Sequence, residues 1–130
     1  MWWALDSRCP LPTRRPVVIT SSATNTEPSV AVLVPCRYEE ATVADVVAGF
    51  VASLPGCVVY VYDNGSSDAT AVRAAEAGAV VRSEVVPGKG GVVRRMFAEV
   101  DADVYVMADG DGTYDPAQAA VLVKIGRAHV

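Results

Sequence analysis

From Ser29 onward the chain alternates short, β-branched apolar runs with amphipathic stretches of helical period. No other feature constrains its fold as much. Residues 30–34 (Val-Ala-Val-Leu-Val) form an uninterrupted apolar run stopped by Pro35, as expected of a strand buried on both faces. Residues 42–54 then place Val43, Val46, Val47, Phe50, Val51 and Leu54 on one helical face. Thr42 and Asp45 have the spacing of a capping box, and Pro55-Gly56 ends the helix. A second strand is expected at 58–62, an Ala-rich helix at 67–77 closed by Gly78, and a third strand at 79–82. A Gly-rich turn opens a helix at 91–100, and 104–108 is a fourth buried strand. Asp115 and Pro116 supply an N-cap and first-turn proline for a last helix, with Gln118 two residues further on. Strands separated by helices pair in parallel through right-handed crossovers. The expected class is α/β, a Rossmann-like parallel sheet flanked by helices.

The flanks differ from this middle. Residues 1–28 are rich in Pro, Ser, Thr and Arg without sustained periodicity, and read as a flexible leader with a short strand at 17–20. The last six residues, Ile125 to Val130, resemble the translation of a sequencing-library adapter. Residues 124–130 are therefore expected to be a non-native tail, which removes functional meaning from His129, the only histidine.

The 130 residues allow one domain at most, and 52% apolar residues are ample for its core. A net charge of −4 without a Lys/Arg cluster argues against nucleic acid as a partner. Cys9, Cys36 and Cys57 have neither paired spacing nor nearby histidines, so they read as idle thiols in a reducing cytosol. No apolar run is long enough to span a bilayer, and no basic region precedes an apolar stretch at the N-terminus. The expected location is cytoplasmic.

In open parallel sheets, ligands bind beyond the carboxyl ends of the strands. Those ends carry Pro35 to Glu40, Asp63 to Asp68, and Asp109 to Asp115. Asp109-Gly110-Asp111 puts two carboxylates on a tight turn, where they can share a hard divalent cation. Gly110 lets the backbone approach a ligand closely. Asp101-Ala102-Asp103 has the same D-x-D form but precedes the strand, about 16 Å away at the usual rise. It is expected to be a solvated turn. Asp63 stands at a strand end, where it could accept hydrogen bonds from a base or ribose, while Ser66 or Ser67 caps the next helix. Gly88-Lys89-Gly90-Gly91 precedes a helix and suits either a phosphate contact or a flexible turn. It is neither a Walker A loop nor a dinucleotide fingerprint.

Taken in order, these pieces resemble the family-2 glycosyltransferases, including the polyprenyl-phosphate sugar synthases. The family's V-I-P-x-Y-N-E-E turn is similar to Val32 to Glu40, and its D-D-G-S-x-D-x-T to Asp63 to Thr70, with Asn64 replacing the second aspartate. Its G-K-G turn is similar to Gly88-Lys89-Gly90 and its acidic metal motif to Asp109-Gly110-Asp111. The resemblance spans residues 29–123 and implies the nucleotide-binding half of a GT-A fold, cut short before its acceptor half. It also implies that Pro35, Arg37 and Glu39 line the nucleotide pocket, although Arg37 stands where the family often has tyrosine. Tyr62, Asp63 and Asn64 would frame base and ribose, Lys89 and Gly110 would contact the donor, and Asp109 and Asp111 would hold Mg²⁺ or Mn²⁺ against the diphosphate.

The implied activity is metal-dependent, inverting transfer of a sugar from a nucleoside-diphosphate sugar to a lipid phosphate or saccharide. The catalytic base and any membrane-associating segments are expected downstream, so this stretch alone is expected to be inactive. In the full-length protein those segments would bring the enzyme to the cytoplasmic face of the membrane. Two other readings are a non-catalytic nucleotide-binding module and a nucleotidyltransferase. The latter wants a Gly-rich basic loop after the first strand, where this chain has the glycine-free, acidic 35–40.

Overall fold

A computed structural model describes residues 28–128. The expected leader strand at 17–20 and His129 lie outside those residues. Eight elements alternate: β1 (Val30–Cys36), α1 (Val43–Ser53), β2 (Val58–Asp63), α2 (Thr70–Glu76), β3 (Val80–Ser83), α3 (Lys89–Glu99), β4 (Val104–Met107) and α4 (Pro116–Ala128). All pairings are parallel, in the order β3-β2-β1-β4. The α/β sheet flanked by helices is thus as the apolar periodicity predicts.

β1 is an inner strand, and it runs two residues past its predicted end at Val34, through Pro35 to Cys36. The pairing explains why a proline is tolerated there. Leu33 O accepts from Ala108 N on the β4 side, and Cys36 O accepts from Asn64 N on the β2 side. This alternation turns the Pro35 nitrogen toward β4, whose pairing with β1 ends at Leu33. The missing N–H therefore breaks no ladder.

Side chains of β1 alternate between two cores. Val30, Val32 and Val34 pack under α1, α2 and α4 with Val43, Val47, Phe50 and Ala74. Ala31 and Leu33 face α3 with Tyr62, Val92, Met96 and Val100. Burying each such aliphatic side chain contributes about 1.5–3 kcal/mol. Val51, predicted for the buried face of α1, is 47% exposed. It lies at the margin of the stripe that Val43, Val47 and Phe50 fill. α1 and α4 approach closely at Gly49, where a Cβ would come within 2.7 Å of the Pro116 ring. No helix among the described residues is long and apolar enough to cross a membrane.

Helix ends depart most from the sequence reading. Thr42 precedes α1 but makes no side-chain cap; its hydroxyl donates instead to Gly110 O at 2.6 Å. α2 starts at Thr70 rather than 67, and neither serine caps it. Ser66 Oγ accepts from Tyr38 N. Asp68 Oδ1 accepts from Thr70 N, and Glu40 Oε1 accepts from Ala69 N. Two carboxylates thus serve the positive end of α2. Gly78, with φ of 107°, follows α2 in the left-handed region as expected. Asp115 caps α4 through Ala117 N, also as expected. α4 runs on to Ala128, through most of the stretch predicted to be a non-native tail.

Candidate functional site

The strand order reverses between β1 and β4, since β1 leads outward to β2 on one side and β4 lies on the other. The loops leaving these two strands part there, and a cleft of about 340 Å³ opens at their carboxyl ends. It is lined by Pro35 and Cys36 at the end of β1, Arg37 and Glu39 after it, Asn64 after β2, and Asp109 and Asp111 after β4. Gly88, Lys89 and Val92 close it from α3.

The β1 turn is held from β2 and α2. Tyr38 has φ of 57°, a conformation that side chains other than glycine rarely adopt. Its N–H donates to Ser66 Oγ at 2.8 Å. Glu39 N donates to Thr70 Oγ1 at 2.9 Å, and the Thr70 hydroxyl donates on to Asp68 Oδ1. Ser66, Asp68 and Thr70 therefore hold the loop that presents Glu39. Sequence reasoning missed this use, although the Asp-x-Thr spacing of 68–70 was a legible signal of a local side-chain hydrogen bond.

Glu39 points across to Gly110. A Cβ at Gly110 would stand 2.2 Å from Glu39 Oε2 and 2.4 Å from Cys36 Sγ, so any larger residue displaces these side chains. Glu39 Oε2 is buried and has no hydrogen-bond partner. Burial pushes the Glu39 carboxyl above the usual carboxylate range; the Cys36 thiol opposes this, and the Asp111 and Asp109 charges add to it. The Cys36 thiol is itself pushed up by burial and then by Glu39, so it stays protonated. The shift disfavours the thiolate.

Lys89, in the first turn of α3, pairs with Asp109 Oδ1. Its ammonium is pushed up by that hydrogen bond. Asp111 Oδ1 accepts from Thr113 N at 2.9 Å and Thr113 Oγ1 at 2.6 Å, which hold its carboxyl below the usual range. Each aspartate is thus oriented through one oxygen. Among the described residues no three His, Cys, Asp or Glu side chains are placed to hold a metal ion together. Two carboxylates alone fit an ion of the magnesium kind, which takes one or two carboxylates and completes its shell from phosphate and water.

Of the other residues singled out in the sequence, Gly110 is the backbone contact under Glu39 rather than a lining residue. Asp63 is buried beside the cleft and accepts from Ser66 N at 3.3 Å. Tyr62 lies in the α3-side core, fully buried, with its hydroxyl donating to Glu99 Oε1 at 2.7 Å. Burial, and then Glu99, push that phenol up. Asn64 lines the cleft, but its side-chain nitrogen and oxygen both engage backbone of residues 84–88. Asp103 is more than a solvated turn residue: it accepts from Ser29 N at 2.8 Å and ties the start of β4 to the start of β1. It does so at the end of β4 remote from Asp109.

Comparison with known proteins agrees with this geometry. Residues 31–126 match the family described as glycosyl transferase family 2. Protein RfbJ of Shigella flexneri is 47% identical over 96 residues, covering 74% of each chain. Glycosyltransferase AglJ of Haloferax volcanii is 35% identical over 99 residues, 75% of this chain and 32% of AglJ. Glucosyl-3-phosphoglycerate synthase from Mycobacterium tuberculosis, crystallised with Mn²⁺, UDP and glucosyl-3-phosphoglycerate, superposes with a TM-score of 0.67. That pair is 31% identical over 75% of this chain and 39% of the synthase. The chain therefore spans about a third of the length of AglJ and well under half that of the synthase. The family match covers most of the chain, and with the α/β sheet it shows that this protein belongs to glycosyl transferase family 2.

Proposed function

We propose that the cleft binds a nucleoside-diphosphate sugar together with Mg²⁺ or Mn²⁺, for transfer of the sugar with inversion at its anomeric carbon. The observation that carries this reading is a meeting of groups at one cleft: Asp109 and Asp111 after β4, Lys89 at the head of α3, and Glu39 after β1. Lys89 and the first amides of α3 would face the diphosphate, where a helix N-terminus favours negative charge. Glu39 Oε2, buried and without a partner, would accept from an N–H or O–H of the nucleotide. Arg37, exposed on the rim with its guanidinium 5.3 Å from the Tyr38 ring centre, would flank the base. Asp63 and Asn64 would act on the nucleotide from beneath, through the backbone they hold.

Asp109 and Asp111 would hold the ion, which when bound supplies Lewis-acid stabilisation of charge on the departing nucleoside diphosphate. Support comes from glucosyl-3-phosphoglycerate synthase, crystallised with UDP and either Mn²⁺ or Mg²⁺. In this reading residues 29–123 are the donor half of the enzyme. The acceptor, a polyprenyl phosphate or a saccharide, and the general base belong to other parts of a longer cytoplasmic protein.

Calorimetric titration with UDP and the other nucleoside diphosphates, in Mn²⁺ and in EDTA, tests the proposal. Binding of at least one diphosphate that disappears in EDTA is the expected result. Equal binding in EDTA, or none of any diphosphate in Mn²⁺, contradicts it.

A further inference from the structure

We infer that Asn64 is a positioning residue whose carboxamide fixes the turn at 84–88, so that Lys89 emerges at the head of α3 facing Asp109. Its Nδ2 group donates to Glu84 O and to Val86 O, both at 2.8 Å. Its Oδ1 accepts from Gly88 N at 3.1 Å. One buried side chain therefore holds three backbone points of a five-residue turn, using both of its donors and an acceptor.

The turn has few other restraints at its later end. Val85 is 81% exposed and Val86 62%, so neither side chain anchors it in the core. Glu84 N is held by Asp63 O, and Val86 N by the Glu84 carboxylate, both at the earlier end. Gly88, with φ of 120°, precedes α3 without any side-chain cap. Asn64 fixes its amide one residue before Lys89, and Lys89 is the cation that reaches Asp109. Aspartate has the size of asparagine but no donor. The family's motif carries aspartate here, so the three-point clamp belongs to this chain's asparagine; in the turn as this chain builds it, a carboxylate at position 64 would oppose the two carbonyl oxygens that Nδ2 now serves. The turn would open, and Lys89 would lose its approach to the cleft.

The binding arm of the test rests on the donor-site reading above; an exchange arm does not. Two replacements are used, because a buried carboxylate in Asn64→Asp can unfold the domain, whereas Asn64→Ala removes the contacts without adding charge. UDP with Mn²⁺ is titrated into wild type, both Asn64 variants, Lys89→Ala and the Asn64→Ala/Lys89→Ala double variant. Amide hydrogen exchange at Gly88 and Val86 is followed without ligand. The clamp predicts that each Asn64 variant loses about tenfold in affinity, the scale of one hydrogen bond to a charged group. The double variant should bind no worse than Lys89→Ala, because Asn64 acts through Lys89. Gly88 should exchange faster in Asn64→Ala. Wild-type affinity in Asn64→Ala, losses that multiply in the double variant, or unchanged Gly88 exchange would each overturn the inference. A wild type that binds no nucleoside diphosphate of any base sinks the donor-site reading alone, and Gly88 exchange then decides for or against the clamp.

Discussion

Gly110 sits between two aspartates, and its lack of a Cβ is what allows Glu39 and Cys36 to close over it. Replacement by alanine sets two demands against each other. The loop must shift, or Glu39 must swing out of the cleft toward water. The carboxylate is the more mobile of the two neighbours and gains solvation by leaving, but the buried Cys36 thiol must also turn aside, so Gly110→Ala is expected to keep the fold at some cost in stability. Metal-dependent UDP affinity should fall by about tenfold, roughly the worth of one charge-assisted contact. Circular dichroism and calorimetry on the same sample check both halves, and unchanged affinity would contradict the role given to Glu39. The sequence led to Gly110 through the need for close backbone approach, but the approaching group was foreseen as a ligand, and it is Glu39. Tyr62 and Asn64 differ for a related reason. Strand-end position is legible in a sequence, whereas the direction a side chain takes depends on partners such as Glu99 and Val86, which lie 37 and 22 residues away.

At the scale of elements, the strands and helices were legible because apolar periodicity is a property of the whole segment. The caps were less so. Thr42, Ser66 and Asp68 all have hydroxyl or carboxylate groups suited to a local cap, and the fold gives Thr42 and Ser66 to other loops instead. α3 is held to β2 by a second polar device. Glu99 accepts from Tyr62 Oη and from Arg95 Nε at 2.7 Å each. Burial pushes the Glu99 carboxyl up, but the Arg95 and Tyr62 hydrogen bonds outweigh it and hold it below the usual value. A depressed carboxyl contributes stability that is present above its unfolded value, about 4.3, and is lost as pH falls through the folded one. Glu99→Gln should therefore cost about 0.5 kcal/mol at pH 7, a small figure because water screens the partly exposed pair. The difference should shrink as pH falls through and below the usual carboxylate range, as read by urea unfolding across that range. A difference independent of pH would mean that Glu99 contributes through packing alone.

For the whole molecule, the central claim is that a parallel sheet turns one edge, the carboxyl ends of β1, β2 and β4, into a donor and metal site. Two D-x-D pairs bracket β4, and the structure gives them different work: Asp109 and Asp111 line the cleft, while Asp103 anchors Ser29 at the far end. That anchoring makes Asp103 a poor control, since its loss would loosen the start of β1. Asp101, exposed and at the same remote end, is the clean one. The most direct measurement is a calorimetric titration of UDP in Mn²⁺ into wild type, Asp109→Asn/Asp111→Asn and Asp101→Asn. Asparagine keeps size and much of the hydrogen bonding but removes both charges. The account predicts that the double variant loses affinity by at least about a hundredfold, two charge-assisted contacts' worth, together with its dependence on Mn²⁺. Asp101→Asn should bind as wild type does. Equal losses from both ends of β4, or tight binding by the double variant in EDTA, would contradict the assignment of the site to this edge of the sheet.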